Sequence, residues 1–188
     1  MNSKKLIKFN KFIFEAADDN HKRNKHLRLA KVAQNHPVIT LIKKKRLKPK
    51  KLLEIGCSTG FVLKSLKEIT NADCYGIDAS QNAIRDGQKI FKNIKLYCGT
   101  LEKSKLKKKK FDLIIFGFFL FLLPPEKILN LFNIVDNMLD DSGKIIIYDF
   151  HYKDFKKVKY KHKKGFFSYK WNFKNVFLSL PNYKLLNL

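Results

Sequence analysis

Paired cysteines are missing from this sequence: Cys57, Cys74 and Cys98 are odd in number and scattered, and no CxxC pair occurs. Such a set excludes a disulfide frame and a structural zinc site, so no metal is expected, and a reducing cytoplasmic setting is. Long apolar runs are missing too. The longest uninterrupted one, Leu113 to Leu123, spans 11 residues and stops at Pro124-Pro125, too short to cross a bilayer. Lys8, Asn10 and Lys11 interrupt the first apolar stretch, so no secretory signal is expected. Acids are scarce, 16 against 40 basic residues for a net charge of +24, which in isolation suggests a polyanion partner. Arginine is scarcer still, with only Arg23, Arg28, Arg46 and Arg85 among the 40. Proteins that grip phosphate use arginine forks heavily, so solvated lysine faces are preferred here over a nucleic-acid partner.

What is present is an alternation. Residues 20–34 carry Leu27, Leu29, Ala30, Val32 and Ala33 on one helical face, and a second short helix starts at Pro37, where proline suits a first turn. Lys43–Lys51 is a basic connector. Beyond it, short apolar runs at 52–56, 74–77, 94–98, 111–116 and 144–150 read as strands. Helical patterns at 61–69, 81–91 and from Pro125 lie between them, with Ser80 as a cap and Ile128, Phe132, Val135 and Leu139 on one face. This order predicts one α/β domain: a doubly wound, mostly parallel sheet with helices on both faces. Residues 1–48 are expected as a helical N-terminal cap and 49–188 as the domain itself. Asn172–Leu180 is expected to be helical and Tyr183–Leu188 to add a strand.

In open α/β sheets the ligand lies beyond the carboxyl ends of the strands. The first such end, Leu53-Glu54-Ile55-Gly56-Cys57-Ser58-Thr59-Gly60, leads an acid into a glycine-bounded turn and then a helix, where bare backbone can approach a ligand. It resembles the first motif of class I S-adenosylmethionine-dependent methyltransferases, E/D-x-G-x-G-x-G, with Ser58 at the usual middle glycine. Tyr75-Gly76-Ile77-Asp78-Ala79-Ser80 resembles that family's second strand with its terminal acid. Phe111-Asp112-Leu113-Ile114-Ile115-Phe116 is similar to its fourth strand, and Gly143-Lys144-Ile145-Ile146-Ile147 to its fifth. The resemblance covers roughly residues 52–150. The GxGxxG fingerprint of NAD-binding folds does not match, since here the glycines are Gly56 and Gly60 with Glu54 ahead of them.

The resemblance implies a Rossmann-like methyltransferase fold and S-adenosylmethionine as cofactor. Gly56, Cys57, Ser58 and Gly60 would line its amino-acid end, and Glu54 would hold its ammonium and the loop. Asp78 would take the ribose, Ala79 would lie by the adenine, Thr100 and Leu101 would flank the ring, and Phe116, Gly117 and Phe118 would pass beneath the methionine portion. The family often carries an acid near Thr100; here none occurs before Glu102.

For a catalytic base, Asp149 and His151 at the end of the fifth strand are the candidates, with His162 and His21 next; a strand-end aspartate also commonly caps a neighbouring helix. The lysine runs 43–51 and 103–110 precede strands and are expected on the face opposite the site. Lys153–Lys164 follows a strand and is expected over the cleft, in contact with an anionic acceptor. Gly165–Lys170 and Asn175–Phe177 resemble tails of class I enzymes associated with cell-surface polysaccharide. The expected function is methyl transfer to a small molecule, an anionic sugar or polysaccharide precursor. The alternatives are an RNA or ribosome-associated methyltransferase and a non-catalytic protein that retains the fold. The terminal hairpin usual in the family looks incomplete, so an open sheet edge is expected, with pairing into a homodimer or poor solubility as its consequence.

Overall fold

The computed structural model describes residues 3–28, 33 and 35–186. Five parallel strands form the main sheet: β1 (Lys51–Ile55), β2 (Asp73–Asp78), β3 (Lys95–Cys98), β4 (Phe111–Gly117) and β5 (Leu139–Tyr148), in the order β3-β2-β1-β4-β5. The order reverses beside β1, so the carboxyl ends of β1 and β4 open a crevice where a ligand can lie.

Alternate strand residues face two cores. One side carries Leu52, Cys74, Leu96, Leu113 and Ile115 against α2 (Pro37–Lys44), α3 (Phe61–Thr70) and α4 (Gln81–Ile90). The other carries Leu53, Ile55, Ile77, Ile114 and Phe116 against α5 (Pro125–Met138) and α6 (Lys174–Leu178). Both faces being buried explains why the strands read as continuous apolar runs. Gly87 lets α4 pack tightly: a Cβ there would stand 2.1 Å from the carbonyl oxygen of Thr59.

The first helix differs from expectation. α1 spans Ser3–Arg28, and residues 29–32 and 34 of the expected 20–34 helix lie outside the described residues. Phe9, Phe12, Ile13 and Ala16 recur at helical spacing and bury an apolar stripe that the intervening Lys8, Asn10 and Lys11 conceal in the sequence. Phe12 and Ala16 join the same core as β1 and β4. α1 is also tied across α4: Asp18 accepts from the Ser80 hydroxyl at 2.5 Å, and Asp86 receives His21 at 3.1 Å and Lys25 at 2.8 Å.

The C-terminal region departs as well. β6 (Lys156–Lys159) and β7 (Phe167–Lys170) pair antiparallel in a sheet of their own. Their connecting loop folds onto α1, where Phe166 stacks on Phe12 at 3.9 Å and Lys163 pairs with Glu15. Residues 183–186 are not a strand, and 187–188 lie outside the described residues. β5 therefore has no strand beyond it among the described residues. Asp140–Gly143 bulges from the β4–β5 ladder, whose register passes from Phe111–Leu139 to Leu113–Lys144. Among the described residues no helix is long and apolar enough to cross a membrane, and no group of three His, Cys, Asp or Glu could hold a metal.

Candidate functional site

A cavity of about 500 Å³ sits at the carboxyl ends of the strands, with α1 as its roof. That volume is in the range of pockets that hold cofactor-sized ligands. Its floor begins where β1 ends. Gly56 has φ +80° and its Cβ would lie 2.6 Å from the Phe119 ring, so only glycine fits. Ser58, at φ 52°, holds the left-handed conformation that glycine would take without cost. Its N–H donates to Asp78 Oδ2 at 2.7 Å, and the Ser80 N–H donates to Asp78 Oδ1 at 2.8 Å. One carboxylate thus fixes the ends of β1 and β2 together.

Glu54, Gly56, Cys57, Ser58, Asp78, Ala79, Thr100, Leu101, Gly117 and Phe118 all line this cavity. Two residues expected with them do not. Gly60 caps α3 and turns toward Ile94 and Leu96, where a Cβ would meet Ile94 at 2.6 Å. Phe116 points the other way, fully buried between Phe132 and Phe177 at ring distances of 5.1 and 6.4 Å. The alternation of a strand dictates this: Phe116 supports the core while its neighbour Gly117 bares backbone to the cavity.

Neither candidate base reaches the cavity wall. Asp149 Oδ2 accepts from the Leu120 N–H and Oδ1 from the Phe150 N–H, each at 2.7 Å, so the carboxylate ties the loop after β4 to the end of β5. Burial pushes its pKa up to about 7, while the backbone N–H groups pull the other way. His151 is exposed, as is His162, and His21 is buried against Asp86. Of the lysines, none from 153–164 lines the cavity, but Lys103 does. The 3-10 turn Leu101–Lys103 follows β3 directly, so the run 103–110 starts at the site and only then descends to the strand-entry side, where Lys110 bonds the Leu139 carbonyl.

Several lining residues escaped the sequence reading. Asn10 and Asn20 of α1 and Lys127 and Asn130 of α5 supply polar groups. Phe61, Tyr148 and His36 form an aromatic end beside Phe118. His36 precedes Pro37 and caps α2, its Nδ1 accepting from the Val38 N–H at 3.4 Å; the His-Pro pair at a helix start was the available signal. Burial lowers its pKa, which keeps the ring neutral at physiological pH. Burial, with the nearby Asp78 and Glu54 charges, pushes the Cys57 thiol well up, so it is no nucleophile.

Residues 52–143 match the model of a family described as "Methyltransferase domain". No curated protein matches the sequence. Among solved structures, the chain is similar to the plantazolicin methyltransferase BpumL, solved with a monoazolic desmethylPZN analogue and SAH: 21% identity, TM-score 0.52, covering 75% of this chain and 53% of that one. It is similar to the PH0226 protein from Pyrococcus horikoshii OT3 at 20% identity and TM-score 0.59, covering 82% and 86%. A TehB-like SAM-dependent methyltransferase from Corynebacterium glutamicum aligns at 19% identity and TM-score 0.55, covering 73% of each chain. At these identities the likeness shows the fold. The chain spans about half the length of the plantazolicin enzyme.

Proposed function

We propose that this chain, whose residues 52–143 match a methyltransferase-domain family and whose fold is that of class I methyltransferases, transfers the methyl group of S-adenosylmethionine to a small-molecule acceptor. The observation that carries this reading is the junction of β1 and β2, where bare backbone at Gly56, a buried Glu54 and the Asp78 carboxylate converge on one roofed cavity.

The residues present fit the cofactor. Gly99, at φ +130°, leaves open space where a Cβ would meet no protein atom, beside Asp78 and Ala79. That concavity supports an adenosine there, with its ribose on Asp78 and its base between Ala79 and Leu101. Gly56, Ser58, Gly117 and Glu54 would hold the amino-acid end. When bound, the cofactor supplies a methyl group on a sulfonium, whose positive charge is dispersed during transfer. Phe118 and Phe119 offer aromatic faces to that charge, and the apolar α1 residues Phe9, Ile13 and Ala16 line the same cavity. Much of the rate then comes from holding donor and acceptor in line.

Lys103 and Lys127 favour an acceptor that carries an anionic group, such as a sugar phosphate. They come from different elements, line the same cavity, and have no ion-pair or hydrogen-bond partner for their ammonium groups among the described residues. The roof over the cavity favours a small acceptor over RNA. The test is transfer of labelled methyl from S-adenosylmethionine to a panel of sugar phosphates and sugar nucleotides, run beside bulk RNA. Label in a small molecule supports this reading, and label confined to RNA overturns it.

A further inference from the structure

The wall of the cavity is chemically divided, and its aromatic end lies at the carboxyl ends of β4 and β5. Resting on the methyl-transfer reading, we propose that the atom methylated is an amine nitrogen, received among Phe118, Tyr148 and Phe61.

Backbone strain is the first observation. Phe118 is a bulky residue at φ +59°, a strained conformation that persists only where its surroundings impose it. Its N–H donates to the Tyr148 carbonyl at 2.8 Å, which fixes that geometry. The residue is 39% exposed although it lines the cavity, and its ring packs on Tyr148, Phe150 and Phe121 at 5.4, 5.0 and 5.4 Å between centroids. Tyr148 in turn meets His36 at 4.8 Å, and His36 meets Phe61 at 6.0 Å. The backbone holds an aromatic face open to the site instead of burying it.

The second observation is that, among the described residues, the groups nearest this end that could serve as a base are already engaged. Asp149 is outside the cavity wall, with both oxygens on backbone N–H groups. The Glu54 carboxylate lines the cavity but is buried beside Gly117 and already engaged. His36 uses Nδ1 to cap α2, accepting from the Val38 N–H, so that nitrogen is not open to take a proton. A hydroxyl acceptor must lose its proton as it is methylated and needs a base beside it. A free-base amine does not. Its lone pair forms the N–C bond while the C–S bond breaks and that pair leaves with sulfur. The resulting ammonium can then release its proton to water. Positive charge passes from sulfur to nitrogen, and aromatic faces stabilise it in both places. The anionic group held by Lys103 and Lys127 and the amine can belong to the two ends of one acceptor.

The experiment is calorimetric titration of the full chain, first saturated with SAH, using choline and its uncharged isostere 3,3-dimethylbutan-1-ol. With SAH bound, choline is expected to bind about five- to thirtyfold tighter than the alcohol, the advantage a desolvated cation–π contact gives. Phe118→Leu should abolish that difference, and Tyr148→Phe, which keeps the ring, should retain it. Equal affinities for the two probes, or no binding of either to SAH-saturated and folded protein, overturns the amine assignment and leaves the cofactor reading intact. Failure of SAH itself to bind overturns the methyl-transfer reading instead, and this proposal with it.

Discussion

The backbone N–H of Ser58 donates to Oδ2 of Asp78 over 2.7 Å, so the same carboxylate that would receive the ribose also holds the turn that would receive the methionine end. Asp78→Asn would leave one of two backbone donors facing an amide NH2 group. A lost hydrogen bond to a charged group costs about 1.5–3 kcal/mol. SAH affinity should fall at least about tenfold, read by calorimetry, with a smaller loss of stability in urea and an unchanged far-UV spectrum.

Ser58 occupies left-handed backbone at φ 52°. A non-glycine residue there costs about 1–2 kcal/mol. Ser58→Gly should relieve most of that, offset in part by the greater freedom of glycine in the unfolded chain. A gain of about 2 °C in Tm is expected for a chain of this size, with SAH binding retained. A loss of binding would make the Ser58 hydroxyl a ligand contact.

Phe116 and Phe118 are two residues apart and do opposite work. Phe116 is fully buried between Phe132 and Phe177, and Phe116→Ala should cost about 3–5 kcal/mol. Phe118 is strained and partly exposed, so Phe118→Ala should cost under about 1.5 kcal/mol yet weaken ligand binding. Parallel urea melts and calorimetry on the two variants separate these outcomes.

The sequence made the sheet legible because its strands are buried on both faces and are punctuated by turns at Gly56 and Asp78. It made the glycine turn and Asp78 legible because a tight turn beside a ligand restricts residue choice. It left Phe116 and Phe118 indistinguishable, since both are phenylalanines at one strand end. Only the register, which points Phe116 at α5, and the backbone break after Gly117 tell them apart. α1 was hidden for another reason: its stripe of Phe9, Phe12, Ile13 and Ala16 is interleaved with lysines, and its partners are Phe166 and Tyr160, about 150 residues away in the chain. The hairpin β6–β7 was unreadable because its strands are short and mostly exposed, so period-two burial leaves no trace.

Asp149 supplies a pH test. Its pKa is pushed up from 3.8 to about 7 by burial. A carboxyl raised on folding contributes stability that is fully present below its unfolded pKa and is lost as pH rises through the folded value. On this group alone, stability should decline from about pH 4 to pH 7. In Asp149→Asn that slope should vanish, and the variant should also lose about 1–3 kcal/mol from its broken backbone contacts. Urea melts across the range check both, and equal slopes in the two proteins would contradict the assignment.

The most direct measurement of the central claim is calorimetric titration of the purified chain with S-adenosylmethionine, beside NAD and beside the Gly56→Ala variant. A Cβ at Gly56 would sit 2.6 Å from the Phe119 ring on strained backbone, closing the turn. Micromolar binding of S-adenosylmethionine, none of NAD, and loss of binding in the variant are expected. Tight binding of NAD, or no binding of S-adenosylmethionine to folded protein, would contradict the claim.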